Sequence, residues 1–265
     1  TLPAPAGMSI VPVGGGDPIN LGDQTAQVAW STIKVPVALA AQRKNGPSPA
    51  ATAAITASDN AAAEQLWASL GSDPEAAAAV TAILREGGDE RTEVPSVRRR
   101  AGYTIFGQTV WPLSEAAVFT ANLPCLPGSE QIVELMGQVQ ANQQWGIEII
   151  PNRATAVKGG WGPLESGGYL VRQIGLLARR DGVDPTLAAF AARRGDDVYL
   201  PPAAAQQGQR AASQHRFVVR VCAENQDRVH TTSFTIHSAG LDYTGGETRF
   251  EVRCGQGSRR RRETS

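Results

Sequence analysis

Three short stretches carry side chains that can make and break a bond, and they follow one another in a fixed order. "WSTIK" places Ser31 three residues before Lys34, "SDN" sets Ser58, Asp59 and Asn60 in a row, and "KGGWG" opens at Lys158. A serine hydroxyl is a weak nucleophile until a neighbouring base takes its proton, and a lysine amine serves as that base once burial or another cation lowers its pKa. Arginine cannot do so, because its guanidinium keeps its charge. The residue usage sharpens the point: the chain has 22 Arg and three Lys, and two of the three, Lys34 and Lys158, fall in these stretches. Each stretch alone is compatible with a solvated surface, since residues i and i+3 share a face of any helix. Together, with Ser58 between the lysines, they point to a serine nucleophile activated by lysine.

The elements that must hold these side chains are legible in the apolar periodicity. From Thr32 to about Arg43, the positions Ile33, Val37, Leu39 and Ala40 suit a buried helix, with Pro36 in its first turn, where a missing N–H costs nothing. "SPAATAAITASDNAAAEQLWASLG" reads as two helices interrupted at SDN, the second capped by Asp59 or Asn60 and closed by Gly71. Another helix follows in "DPEAAAAVTAILREGG", with Asp73 as cap and Pro74 at its first position, and two more in "LSEAAVFTANL", opened by Ser114, and "GSEQIVELMGQVQ". "MSIVPVGGGDPINLGD" predicts a strand pair around Gly14 to Gly16; this triplet lacks the Lys-Ser/Thr ending of a phosphate loop. "ATAVKGGWG" and "GGYLVRQIGLLARR" predict two more strands, the second inside a sheet. Strands from both ends with helices between them predict an α+β layered fold.

The 265 residues carry no net charge, but the distribution is uneven: acidic residues outnumber basic ones up to residue 178, and the reverse holds beyond it, where all three His also lie. This shift predicts a main domain over 1–180 and a separate tail over 181–265. In the tail "PTLAAFAARR" reads as strand or helix, "PPAAAQQGQRAASQ" as a linker, and "HRFVVRVCAEN", "TTSFTIHSAG" and "ETRFEVRC" as three strands. The run Arg259 to Arg262 offers a site for nucleic acid, though a solvated end is the simpler reading. Cys222 and Cys254 are placed to pair in an oxidising compartment, which leaves Cys125 over as a small buried residue. No C-x-x-C or His/Cys cluster suggests a metal, and no motif calls for a cofactor. No stretch approaches the ~20 apolar residues of a membrane span. The start at Thr1 fits a mature protein freed of an export signal.

The ordered set S-x-x-K, S-D-N and K-x-G resembles the signature of the penicillin-binding proteins and class A β-lactamases, whose third element is K-T-G. The resemblance covers roughly residues 8–178. It implies an antiparallel sheet flanked by helices, with a second helical lobe and the site between them. It also implies roles. Ser31 is the acylated nucleophile, Lys34 its proton acceptor, and Ser58 the shuttle to the leaving nitrogen. Asn60 bonds the substrate's amide, Lys158 supplies positive potential for a substrate carboxylate, and Asp59 braces its loop. The backbone N–H groups of Ser31 and Trp161, the latter following Gly160, form an oxyanion hole.

Four departures qualify what the resemblance implies. Gly159 stands where the family carries the Thr or Ser whose hydroxyl helps hold a carboxylate. Only 26 residues separate Ser31 from Ser58, which predicts a reduced helical lobe. The E-x-x-L-N loop of the deacylating glutamate is missing, and Glu93 in "RTEVPSVR" is the candidate for that base. The tail lacks the amphipathic helix that closes the family's sheet, so it is either an appended small β module or a replacement of the native ending. The expected function is therefore a serine hydrolase acting on β-lactam or D-Ala-D-Ala-like amides, exported and slow to deacylate. The alternative is a non-catalytic cell-wall or ligand-binding protein on the same fold.

Overall fold

The apolar run of "AGMSIVP" makes β1 (Ala6–Pro12), five of whose residues are buried, and it folds back on β2 (Ile19–Gly22) through the glycines at 14 to 16. All three glycines have positive φ, between 89° and 142°, a region open to glycine at no steric cost. The computed structural model describes residues 6–150, 153–179, 186–194, 218–225 and 228–235. Three later strands complete the sheet: β5 (Arg153–Pro163), β6 (Tyr169–Arg179) and β7 (Thr186–Arg194). The order is β2-β1-β7-β6-β5, antiparallel throughout, so strands from the two ends of the chain meet where β1 pairs with β7. As expected, β6 is interior and the helices are inserted between the two groups of strands.

The sheet does not stop at residue 180. "TLAAFAARR" is strand β7, pairing with β1 on one side and β6 on the other, so the shift in charge lies within the span of the sheet. An Ala-rich segment has weak preference of its own, and the two open backbone ladders flanking it decide its conformation.

The helices bury one continuous core. The helix α1 (Lys34–Asn45) is buried from Lys34 to Ala41 and follows a 3-10 turn at Trp30–Ile33. Next come α2 (Pro49–Thr56), capped by Ser48, and α3 (Asn60–Ser69), where the Asp59 carboxylate accepts the Ala62 N–H at 2.8 Å. The cap of α4 (Asp73–Glu86) is Ser72, reciprocated by Glu75, one residue before the expected Asp73. Asp73 instead accepts from the indole N–H of Trp67 at 2.7 Å. The helix α5 (Leu113–Asn122) begins after Pro112 without a side-chain cap, and Ser114 accepts from Arg91 at 3.2 Å. The last described helix is α6 (Glu130–Met136). Ile33, Leu39, Ile55, Leu84, Phe119 and Ile174 join helices and sheet in the core.

A short ladder, β3 (Gln27–Val28) with β4 (Val110–Trp111), lies just ahead of the 3-10 turn. In the tail β8 (Val218–Asn225) and β9 (Arg228–Thr235) pair with each other. The expected third strand, the linker at 201–214, Cys254 and Arg259 to Arg262 lie outside the described residues. Cys125 is exposed and disulfide-bonded, so it is neither a buried core thiol nor the cysteine left over. Among the described residues no helix is long and apolar enough to cross a membrane, and no group of three His, Cys, Asp or Glu could hold a metal ion.

Candidate active site

Ser31 is half-buried in the 3-10 turn that leads directly into α1, and Lys34 is the first residue of that helix, one turn on. The turn is tied down from beneath: Ala29 N–H donates to the Thr109 carbonyl at 2.7 Å, and the buried Thr32 hydroxyl donates to Ala29 O at 2.7 Å. Lys34 is 1% exposed. Its ammonium donates to the Ser58 carbonyl at 2.5 Å and to Asn60 Oδ1 at 2.7 Å, and lies 3.4 Å from Ser58 Oγ. Lys158, on β5 and fully buried, donates to Ser58 Oγ at 2.8 Å and to Gly159 O at 2.8 Å. The Ser58 hydroxyl thus bridges two buried lysines contributed by opposite ends of the fold.

Burial lowers the Lys34 pKa to about 8, against a smaller upward pull from the Asp59 carboxylate. Burial, and then the nearby Lys34 charge, push Lys158 well below the ordinary lysine range. Among the described residues neither ammonium has a carboxylate as a hydrogen-bond partner, so two positive charges share one hydroxyl, an arrangement that favours loss of a proton. A neutral Lys34 can take the Ser31 proton. A hydroxyl held between two amines can pass one on.

Two features mark this place in the backbone itself. Among the described residues, the non-glycine residues with positive φ are Trp30, at 48°, and Ser58, at 58°. Such strain in a tryptophan or a serine costs on the order of 1–3 kcal/mol and persists only where the surroundings enforce it. Here the two residues are the neighbour of Ser31 and the bridging serine. Nothing in their residue types signals this in the sequence.

The glycines of β5 explain how closely the elements approach. A Cβ on Gly160 would lie 2.7 Å from Ser31 N and 2.9 Å from Thr32 N, and one on Gly162 would lie 2.6 Å from the Trp30 ring. The Ser31 N–H therefore sits against β5 at Gly160–Trp161, where the resemblance implies an oxyanion hole. Arg172, the cross-strand partner of Gly160, is 1% exposed and donates at 3.1 Å to the carbonyls of Gln27, Val28 and Trp111. It fastens the β3–β4 ladder, and with it the approach to Ser31, onto the sheet. Burial lowers its pKa to about 9.

Of the residues singled out in the sequence, Ser58, Asn60, Lys34 and Lys158 are brought together and Ser31, Gly160 and Trp161 adjoin them. Glu93 does not join them. Its side chain is 77% exposed and pairs with Arg85 of α4, because Asp89, buried, anchors the loop by accepting from Thr92 N–H at 2.9 Å and Trp111 Nε1 at 2.8 Å. Sequence reasoning missed Arg172, and also Trp145, whose ring lies over Gly159.

No protein-family model matches the chain, and no curated relative matches it by sequence. Solved structures do match in fold. The extended-spectrum β-lactamase TLA-3 superposes with a TM-score of 0.59 at 12% identity, over 74% of this chain and 86% of that one. A β-lactamase from Xanthomonas campestris pv. campestris gives 0.56 at 20% identity, over 78% and 88%. One from Desulfarculus baarsii gives 0.56 at 18% identity, over 76% and 87%. The chain has the fold of the class A β-lactamases, as the ordered motifs implied.

Proposed function

We propose that a chain with this fold and this pair of buried lysines is a serine hydrolase that forms an acyl-enzyme at Ser31 with β-lactam or D-Ala-D-Ala-like amides. The observation that carries the reading is the hydrogen-bonded set Lys34–Ser58–Lys158 beside Ser31, with Lys34 lowered to about 8 by burial. The Ser31 Oγ–carbon bond forms as neutral Lys34 takes the hydroxyl proton. Negative charge on the carbonyl oxygen is met by the N–H groups of Ser31 and Trp161, donors of a kind typically worth ~10²–10³ in rate. The carbon–nitrogen bond then breaks, and Ser58 delivers a proton to the leaving nitrogen. Asn60 has its Oδ1 engaged by Lys34 and offers its amide NH2 to the substrate.

Deacylation needs a base for water, and Glu93, exposed and paired with Arg85, does not supply one. The acyl-enzyme should accumulate. An oxidising, extracytoplasmic setting fits both the resemblance and the disulfide at Cys125. The test is the time course of β-lactam opening. One rapid equivalent per chain followed by little turnover, absent in Ser31→Ala, supports the reading. Binding that is unchanged in Ser31→Ala and opens no ring supports a non-catalytic binding protein instead.

A further inference from the structure

The place on β5 where a hydroxyl would help hold a substrate carboxylate is occupied by an indole. A Cβ on Gly159 would lie 2.5 Å from Trp145 Cζ2 and 3.2 Å from Cε2, so no larger residue fits there while Trp145 keeps its place. That place is enforced. Gln173, fully buried and the cross-strand partner of Gly159, donates to Trp145 O at 2.7 Å and accepts the Ile147 N–H at 2.8 Å. The intervening Gly146 has φ 64°, and a Cβ on it would meet Gln173 Oε1 at 2.5 Å. Trp161 completes the feature: its ring meets Trp145 edge-on at 6.1 Å, and both indoles are half-exposed. Trp161 belongs to β5, one edge strand of the sheet, and Trp145 packs against that strand at Gly159.

Lys158, the cation that would answer a carboxylate, is fully buried and directs two of its three donors to Ser58 and Gly159. We infer that Trp145 and Trp161 form a subsite for an uncharged aromatic group adjoining the scissile carbonyl, in place of the carboxylate of ordinary β-lactams. This rests on the hydrolase reading and names its substrate class. The reaction is the same acylation: the Ser31 Oγ–carbon bond forms, the lactam carbon–nitrogen bond breaks, and the hydroxyl proton ends on the leaving nitrogen.

The experiment compares one penicillin as the free acid with its benzyl ester, following acylation of Ser31 by intact mass. The benzyl ester should react faster by about three- to tenfold, the size of one aromatic contact. Trp145→Ala should erase that preference, and Trp145→Leu, which keeps an apolar side chain but no ring, should reduce it. In the Trp145→Ala/Gly159→Ser double variant the free acid should be preferred. A wild-type preference for the free acid, or a ratio unmoved by both Trp145 variants, overturns the subsite. If neither compound labels Ser31, the hydrolase reading fails, and calorimetry of the benzyl ester with Ser31→Ala decides the subsite separately. Binding weakened by the added change Trp145→Ala upholds it, and unchanged or absent binding overturns it.

Discussion

At the scale of single residues, the chemistry turns on which groups carry a proton at neutral pH. With the Lys34 pKa near 8, roughly a tenth of its amine is neutral at pH 7. Acylation should therefore climb with pH and level off above about 8, whereas an ordinary lysine would place the rise more than two units higher. Lys34→Arg should abolish acylation at every accessible pH, since guanidinium cannot accept the proton. Stopped-flow rates across pH check both. Glu148 gives a separate test. Burial raises its pKa to about 7, and Thr155 Oγ1 donates to its carboxylate at 2.5 Å. The folded pKa lies above the unfolded one, so the native state takes up a proton between pH 4.5 and 7, and stability falls as pH rises through that window. Glu148→Gln should raise the melting temperature at pH 8, by at most a few kcal/mol of stability, and leave it unchanged at pH 4. The scarcity of lysine made Lys34 and Lys158 legible in the sequence. Trp145 was not legible, because its role depends on a strand register that brings Gly159 opposite Gln173.

At the scale of elements, helix ends and strand glycines place these groups. Asp59 both caps α3 and raises the Lys34 pKa through its charge. Asp59→Asn keeps a good cap and removes the charge, so the midpoint of the pH–rate curve should move down with little change in melting temperature. Asp59→Ala should in addition cost about 1 kcal/mol of stability. Gly160→Ala places a methyl 2.7 Å from Ser31 N, so strand or turn must shift. We expect a loss of about 1–3 kcal/mol by thermal melting, and acylation lost with it. Helix periodicity was clear from sequence, and Asp59 was one of the two residues it offered as the cap of α3. The start of α4 differed by one residue because the Ser72–Glu75 box captures the end of the helix and Asp73 turns to Trp67. The positive φ of Ser58 was invisible, being imposed by the contacts of its carbonyl and hydroxyl.

At the scale of the whole molecule, the sheet is a closure of the chain on itself: β1 from its start is paired with β7, which follows every helix of the main core. Charge and composition suggested a boundary at 180, yet the backbone pairing of 186–194 crosses it, since hydrogen-bond ladders have no signature in charge. Truncation at residue 180 should abolish cooperative unfolding by near-UV circular dichroism, because β1 and β6 lose the strand that joins them. The site draws Ser31, Ser58 and Lys158 from three separated parts of the chain, so its chemistry reports on the assembled fold. Intact-mass and peptide mapping after exposure to a labelled penicillin tests that assembly most directly. One adduct per chain, located at Ser31, persisting over many minutes and missing from Ser31→Ala, is the expected result. No adduct, or an adduct that survives Ser31→Ala, would contradict the account.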